Sequence, residues 1–171
     1  MSAVACIIPQ RGAQRPAIHL EIQRQRGATA ADWQAAVIAE CRRHETLNPA
    51  LVANLKRAGL LERCTFLASD TPGGPLRFRY IGCPTITMLG RAWARHHLGR
   101  PHVENPHAEF VDVMSPLYAE AIEGDEPVHN LVTMCGLWPE GRPYTHVLCG
   151  WQAQDGRRAV LSAIELQPWL H

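Results

Sequence analysis

Histidine is the residue type in this chain best suited to chemistry, because imidazole binds metals and exchanges protons near neutral pH. Four of the histidines fall within one short segment, at His96, His97, His102 and His107. Their spacings match no metal-binding motif, and no cysteine or carboxylate recurs beside them. The segment also contains glycine and proline, which is typical of loops. We therefore expect exposed histidines here and no metal cofactor.

His146 stands apart from that group, in the middle of the apolar segment YTHVLCG. Two interpretations stay open for it: a buried histidine hydrogen-bonded to a neighbour, or a polar contact to a ligand. Tyr80 and Tyr144 are the other candidates for acid–base chemistry in a pocket. No buried carboxylate is evident to pair with them, and Ser115, which precedes Pro116, lacks the context of a nucleophile elbow. The sequence thus predicts no catalytic residue.

The cysteines and charges narrow the class of protein further. The six cysteines include no Cys-x-x-Cys pair, and several lie inside apolar runs, which is typical of core thiols in a reducing compartment. The formal net charge is +1, with acidic and basic residues interspersed, so no surface for nucleic acid or an anionic membrane is indicated. No segment approaches the length of a membrane span, and no export signal is seen. These features predict a cytoplasmic protein.

Residues 1–28 are rich in arginine and glutamine and are interrupted by proline and glycine, which predicts an N-terminal arm. Within the arm the segment AIHLEIQ alternates, with Ile18, Leu20 and Ile22 on one face of a strand. Such a strand would add to the edge of a sheet or to a partner. A mobile arm is the alternative interpretation.

A helical extension is predicted over residues 29–63. Thr29 and Asp32 resemble a capping box at the start of a first helix, and Asn48 is a favourable N-cap for a second. Both helices have an apolar face that needs cover. We therefore predict a homodimer formed through residues 29–60.

Five strands are predicted in the remainder of the chain. CTFLASD and LRFRYIG flank a turn, and in the second of these strands Leu76, Phe78 and Tyr80 share one face. Short helices follow, and then a longer helix that Pro116 should kink or split. Three more strands, VHNLVTMCGLW, PYTHVLCGW and RAVLSAIEL, form a closing meander. The predicted fold class is α+β, with a five-stranded antiparallel sheet and helices over one face.

The run FRYIGCPTITMLGR, followed by HLGRP, resembles a motif of the PAS family of sensory domains. The residues that match the motif one by one are Gly82, Gly90, Arg91, Gly99 and Arg100. The segment AWARHH between the two Gly-Arg pairs is longer than usual. The chain is most similar to the bacterial stand-alone PAS-like group, whose proteins often consist of little else. The resemblance covers residues 64–166 and places a PAS-like domain at 64–171.

The resemblance implies an internal cavity, with the short helices after the second strand as one wall. The side chains that would line it are Phe78, Tyr80, Ile86, Met88, Leu89, Trp93, Phe110, Met114, Tyr144 and His146. The same side chains would also fill a close-packed core, and the sequence does not separate these alternatives. Some PAS domains hold haem through a histidine on the long helix. In this chain only His107 could correspond to that histidine, and its position in the first turn of the long helix does not suit haem binding. We therefore expect no haem.

The function that the resemblance implies is regulatory: a signalling domain that senses a small molecule, docks a partner signalling protein, or does both. No output module is visible, so a partner would carry the output. An alternative is a small α+β cone-fold enzyme of the isomerase or hydratase type, with a pocket around Tyr80, Tyr144 and His146. A structural dimer module with a filled core is a third interpretation.

Overall fold

The computed structural model describes residues 18–25, 30–124, 126–136 and 141–166. Within these ranges, strands and helices occur in groups along the chain. In order they are β1 (His19–Arg24), α1 (Asp32–Cys41), α2 (Pro49–Arg57), β2 (Cys64–Ala68), β3 (Arg77–Tyr80), α3 (Cys83–Leu89), α4 (Arg91–His97), α5 (Ala108–Glu123), β4 (Val128–Cys135), β5 (Arg142–Gln152) and β6 (Arg158–Leu166). Two short 3-10 helices, Leu61–Arg63 and His102–Glu104, precede β2 and α5.

The strands form one six-stranded antiparallel sheet in the order β1-β4-β5-β6-β2-β3. The hairpin of β2 and β3 and the meander of β4, β5 and β6 become one sheet because β2 pairs with β6. The predicted α+β class is confirmed. The predicted number of five strands is wrong, because AIHLEIQ supplies β1, which pairs with β4 from His19 opposite Cys135 to Arg24 opposite Asn130. The alternation drives this pairing, since Ile18 and Leu20 are buried in the core.

Helices cover both faces of the sheet. On one face, which we call the inner face, α3, α4 and α5 enclose the larger core. On the opposite, outer face, α1 and α2 bury Val37, Cys41, Leu51 and Leu55 against the strands. The helical extension therefore forms one outer layer of a three-layer domain, with the sheet in the middle. The prediction that helices cover one face alone is wrong.

The contacts of α1 and α2 bear on the predicted homodimer. The fully buried Gln34 side chain donates to the carbonyl oxygen of Ala163 at 3.0 Å, which fastens α1 to β6. The Trp151 indole N–H donates to the carbonyl oxygen of His44 at 2.9 Å, at the end of α1. Because their apolar faces are covered by their own sheet, these helices no longer supply a reason for self-association. The homodimer through 29–60 stays a prediction.

The helix boundaries agree with the local sequence signals except at the start of α1 and at Pro116. The Asn48 side chain caps α2 by accepting a hydrogen bond from the Leu51 N–H at 2.9 Å, as predicted. Helix α1 begins at Asp32, after Ala31, whereas Thr29 lies outside the described residues. Helix α5 runs unbroken through Pro116, so the expected split is not seen. Pro116 is exposed, where water can bind the carbonyl group that a proline leaves unpaired.

No helix in the described ranges has the length and apolar character that a bilayer crossing needs.

The glycines of the motif shape the segment between β3 and α5. A Cβ on Gly82 would lie 2.3 Å from the carbonyl oxygen of Cys64, so close backbone approach demands glycine where the chain leaves the sheet. Gly90, between α3 and α4, has a φ of 93°, a conformation that side chains rarely adopt. Gly99 donates from its N–H to the carbonyl oxygen of Phe78 at 2.8 Å and so covers the outer edge of β3.

A first testable prediction concerns a close backbone contact between α5 and the sheet. A Cβ on Gly150 in β5 would lie 2.2 Å from the carbonyl oxygen of Ala121 in α5. We expect Gly150→Ala to lower the free energy of unfolding by about 3 kcal/mol or more, because backbone on both sides must move. Gly59→Ala is the control. That position has open space and a φ of 68°, so about 1 kcal/mol is expected. Urea unfolding of both variants measures the difference, and equal losses would contradict the packing.

Candidate functional site

A partly enclosed void of about 20 Å³ lies between the inner face of the sheet and helices α3, α4 and α5. This volume holds about one water molecule. The residues that line it are Thr65, Phe78, Thr85, Met88, Leu89, Trp93, Phe110, Met114, Tyr118, Tyr144, His146, Ser162 and Ile164. All the predicted cavity residues are among them except Tyr80 and Ile86. The elements thus converge on one small volume, and most of the expected cavity is filled by side chains.

Tyr80 lies on the other side of the sheet, which corrects its expected placement beside Phe78. The pairing of β2 with β3 shifts register by a bulge, so that Phe66 is opposite Tyr80 and Leu67 is opposite Phe78. The rings of Tyr80 and Phe66 pack in the outer core with centroids 5.6 Å apart. Ile86 packs against the inner core without lining the void.

His146 is the most unusual group at the void. Its side chain is buried, with 1% of the residue exposed. Nε2 accepts a hydrogen bond from Nδ2 of Asn130, its neighbour on β4, at 2.9 Å. Burial, and then the positive charge of Arg24, lowers the pKa of His146 to about 3, so the ring is neutral. A neutral ring that accepts at Nε2 carries its proton on Nδ1. That Nδ1–H has no hydrogen-bond partner among the described residues.

Trp93, which also lines the void, carries a second unpaired donor. Its indole Nε1 is buried and makes no hydrogen bond to the part of the chain that the structure describes. The indole is held by Phe78, edge-on at 5.4 Å between centroids, and by His97, stacked at 4.5 Å. Trp93 and Leu89 also line a surface groove of about 460 Å³. These two side chains therefore form the wall between the groove and the void.

The void is also lined by the hydroxyl groups of Thr65 and Thr85, which the sequence did not single out. Thr65 of β2 and Thr85 of α3 are hydrogen-bonded through their hydroxyls at 2.8 Å, and the Gly82 N–H donates to Thr65 at 3.1 Å. Burial raises the pKa of both Tyr118 and Tyr144, so both stay protonated. The regular alternation of β2 places Thr65 inward with Leu67 and could have identified it.

The four clustered histidines do not share one environment. His97 and His102 are 3% and 8% exposed, so the prediction of exposure is wrong for these two, whereas His96 is exposed and His107 is half-buried. Both buried rings bond to the backbone: Nδ1 of His97 to the Trp93 carbonyl at 2.9 Å, and Nδ1 of His102 to the Leu76 carbonyl at 3.2 Å. Packing rather than chemistry therefore explains their positions.

His102 also makes a contact that resembles a nucleophile and base. Its Nε2 lies 3.0 Å from the hydroxyl of Ser115, which donates to the Val111 carbonyl at 2.7 Å. Burial lowers the pKa of His102, so the ring is neutral. Neither side chain lines the void or the groove. Through the bond from His102 to the Leu76 carbonyl, this pair connects α5 to the residue that precedes β3. It brings no reacting group to a ligand.

The outer core contains three buried thiols, Cys41, Cys64 and Cys149. A hydrogen bond to Cys149, followed by burial, raises the pKa of Cys41, and burial raises the pKa of Cys64 to about 12. The thiols of Cys41 and Cys64 therefore stay protonated and have little nucleophilic character. They match the sequence prediction of core thiols.

No protein-family model, no curated protein and no solved structure matches the chain. The interpretation of its function therefore rests on the geometry of the void and on the motif described above.

The buried ring of His146 predicts a pH dependence of stability. Its pKa is about 3 in the folded chain and 6.5 in the unfolded chain, so the unfolded chain binds the extra proton between these values. Stability from this group is complete above pH 6.5 and falls as pH drops, by up to about 1.4 kcal/mol per pH unit. We expect His146→Gln to flatten the curve between pH 6 and about 4.5, as measured by urea unfolding. Parallel curves for variant and wild type would show that the ring is not buried and neutral.

The small volume of the void predicts the response to a larger side chain. Met88→Trp adds more volume than about 20 Å³ can take, so we expect overpacking that costs roughly 1–3 kcal/mol. Met88→Leu, of similar volume, should cost less than about 1.5 kcal/mol. Thermal melts followed by circular dichroism measure both. A Met88→Trp melt equal to wild type would mean that the void opens readily to an indole.

Proposed function

We propose that this chain is a PAS-like regulatory domain that senses a small molecule at the void beneath α3 and α4. The observation that carries the proposal is the pair of unpaired donors, on His146 and Trp93, at a void separated from a surface groove by two side chains. The layout supports it: a hairpin, a helical crossing and a meander are joined into one sheet by the β2–β6 pairing. This is the layout that the motif resemblance implies.

The unpaired donors favour ligand binding because they are costly. A buried polar group without a partner costs about 1–3 kcal/mol, and the great majority of buried groups in folded proteins have one. Two such donors beside one void are therefore a substantial loss for a domain whose net stability is about 5–15 kcal/mol. A ligand that accepts hydrogen bonds would recover that loss.

The wall also suggests how binding would reach the surface. A ligand larger than water must displace Leu89 and Trp93, which belong to α3 and α4. Beyond α4 lie Leu98 and Val103, 55% and 54% exposed, the large apolar side chains that stand out at the described surface. We propose that a partner signalling protein docks on this surface and that movement of α4 changes its fit.

The geometry favours a sensor over the cone-fold enzyme. Tyr80 is separated from Tyr144 and His146 by the sheet, so the three do not share a pocket. No carboxylate is among the described residues that line the void, and an acid–base enzyme would need a proton acceptor there. His146 itself, with a pKa of about 3, is a weak base at neutral pH.

The proposal predicts a bound molecule whose retention depends on the wall. We expect native mass spectrometry of freshly purified wild-type chain to detect a small non-covalent adduct, with the absorption spectrum as a check for haem. Leu89→Trp should abolish the adduct, because the larger ring would hold the wall closed. Leu98→Ala, on the exposed surface, is the matched control and should retain it.

Absence of any adduct, together with no binder in a fragment screen by ligand-observed NMR, would contradict sensing. Docking of a partner protein would then remain as the regulatory function.

A further inference from the structure

We propose that the ligand of the void is a small, uncharged, flat molecule that brings a hydrogen-bond acceptor, such as a carbonyl oxygen, to Nδ1–H of His146. Nε1–H of Trp93 is available as a second donor. This inference rests on the proposed sensing function, and it specifies the chemistry that the site would recognise.

The donor character of the site follows from two independent groups. An indole nitrogen can only donate, so the unpaired Nε1 of Trp93 needs an acceptor. In the orientation that the structure gives the Asn130 amide, its Nδ2 group donates to Nε2 of His146 and its Oδ1 is unpaired, which leaves the ring proton on Nδ1. Both residues line the void and both are at least nine-tenths buried, at 9% and 1% exposure. An acceptor atom that reaches either donor would pair it and recover the free energy lost by leaving that donor unpaired.

The absence of charge follows from the lining. Among the described residues around the void itself there is no lysine, arginine, aspartate or glutamate, and Glu104 lines the groove outside the wall. A carboxylate or ammonium group would lose its hydration there with no opposite charge in contact, which is costly for any buried ion. An anion would have to rely on hydrogen bonds alone, and the site therefore selects uncharged acceptors.

The flat shape follows from the route and from the rings. The void of about 20 Å³ is too small for an organic molecule, so binding must join it to the groove of about 460 Å³ by moving Leu89 and Trp93. Phe78, Phe110 and Tyr144 line the volume behind that wall. Aromatic walls favour a flat ring that can stack or meet their edges.

Three probes of nearly equal size test the inference on the full chain. Acetophenone is uncharged with a carbonyl acceptor, α-methylstyrene replaces the carbonyl by a hydrocarbon group, and benzoate carries a charge. Titrations are followed by ¹H–¹⁵N NMR, with the Trp93 indole signal identified by its loss in Trp93→Phe. We expect acetophenone to bind about tenfold more tightly than α-methylstyrene, because it pairs a buried donor. Benzoate should bind most weakly. In His146→Phe the preference for acetophenone should fall toward onefold.

Each of the other outcomes contradicts one part of the inference. Equal affinity for acetophenone and α-methylstyrene would overturn the acceptor inference while leaving a sensing pocket in place. Tightest binding of benzoate would overturn the uncharged character. An unchanged acetophenone preference in His146→Phe would overturn the assignment of the acceptor to Nδ1–H of His146, and an unchanged preference in Trp93→Phe would exclude Trp93 as a second donor. If none of the probes binds either wild type or Leu89→Ala, in which the wall is thinned, the sensing function fails and the inference fails with it.

Discussion

The burial of β6 on both of its faces is the constraint on which the rest of this structure depends. Every residue from Ala159 to Ile164 is buried, as is most of the neighbouring β5. This strand lies inside the sheet and has apolar side chains on both faces. Exposing either face to water would therefore cost roughly 1.5–3 kcal/mol of hydrophobic stabilisation for each large apolar side chain. The domain must therefore have three layers, and α1 and α2 are as necessary to it as α3, α4 and α5.

The two layers differ in how they meet the sheet, and that difference locates the candidate site. On the outer face the contact is mainly apolar, and its polar groups are paired: Gln34 donates to strand carbonyls and the Trp151 indole donates to the His44 carbonyl. On the inner face, α5 lies so close to β5 that Gly150 has room for no Cβ. The shorter α3 and α4 cannot follow the sheet at that distance along its whole width, and the space beneath them contains Thr65, Ser162 and His146. Several polar groups therefore lie at a part of the inner interface that is not closely packed.

Much of the architecture could be predicted from sequence because it is set by local chemistry. The N-cap at Asn48, the alternation of the strands and the breaks around Gly82 and Gly90 all lie within a few residues of the structure they produce. The convergence of Phe78, Met88, Trp93, Phe110 and Met114 on one volume was also predicted, because each lies on the apolar face of its element. The failures depended on long-range pairing. A bulge that moves Tyr80 to the outer face is decided by register with β2, and alternation within β3 carries no signal of it.

The histidines illustrate the same limit at the candidate site. Nothing near His146 in sequence indicates that Asn130, on the neighbouring strand, would fix its tautomer. His97 and His102 are buried because the segment from Trp93 to Pro101 folds back along the edge of β3, as the Arg77–Pro101 bridge indicates. The composition of such a segment predicts a loop. Its tertiary contacts decide which of its polar side chains are buried.

The closed wall at Leu89 and Trp93 has a consequence for any sensing mechanism. Trp93 is 9% exposed, so moving it outward uncovers apolar area worth about 2 kcal/mol. A cost of that size weakens the apparent affinity of a ligand by about thirtyfold, and it keeps the ligand-free chain almost entirely in the closed form. The ligand must recover this cost through the buried donors and the aromatic walls before it can hold α4 in a new position. A domain built in this way would have a well-defined resting state, and it would respond only to molecules that satisfy its unpaired polar groups as well as fit its shape.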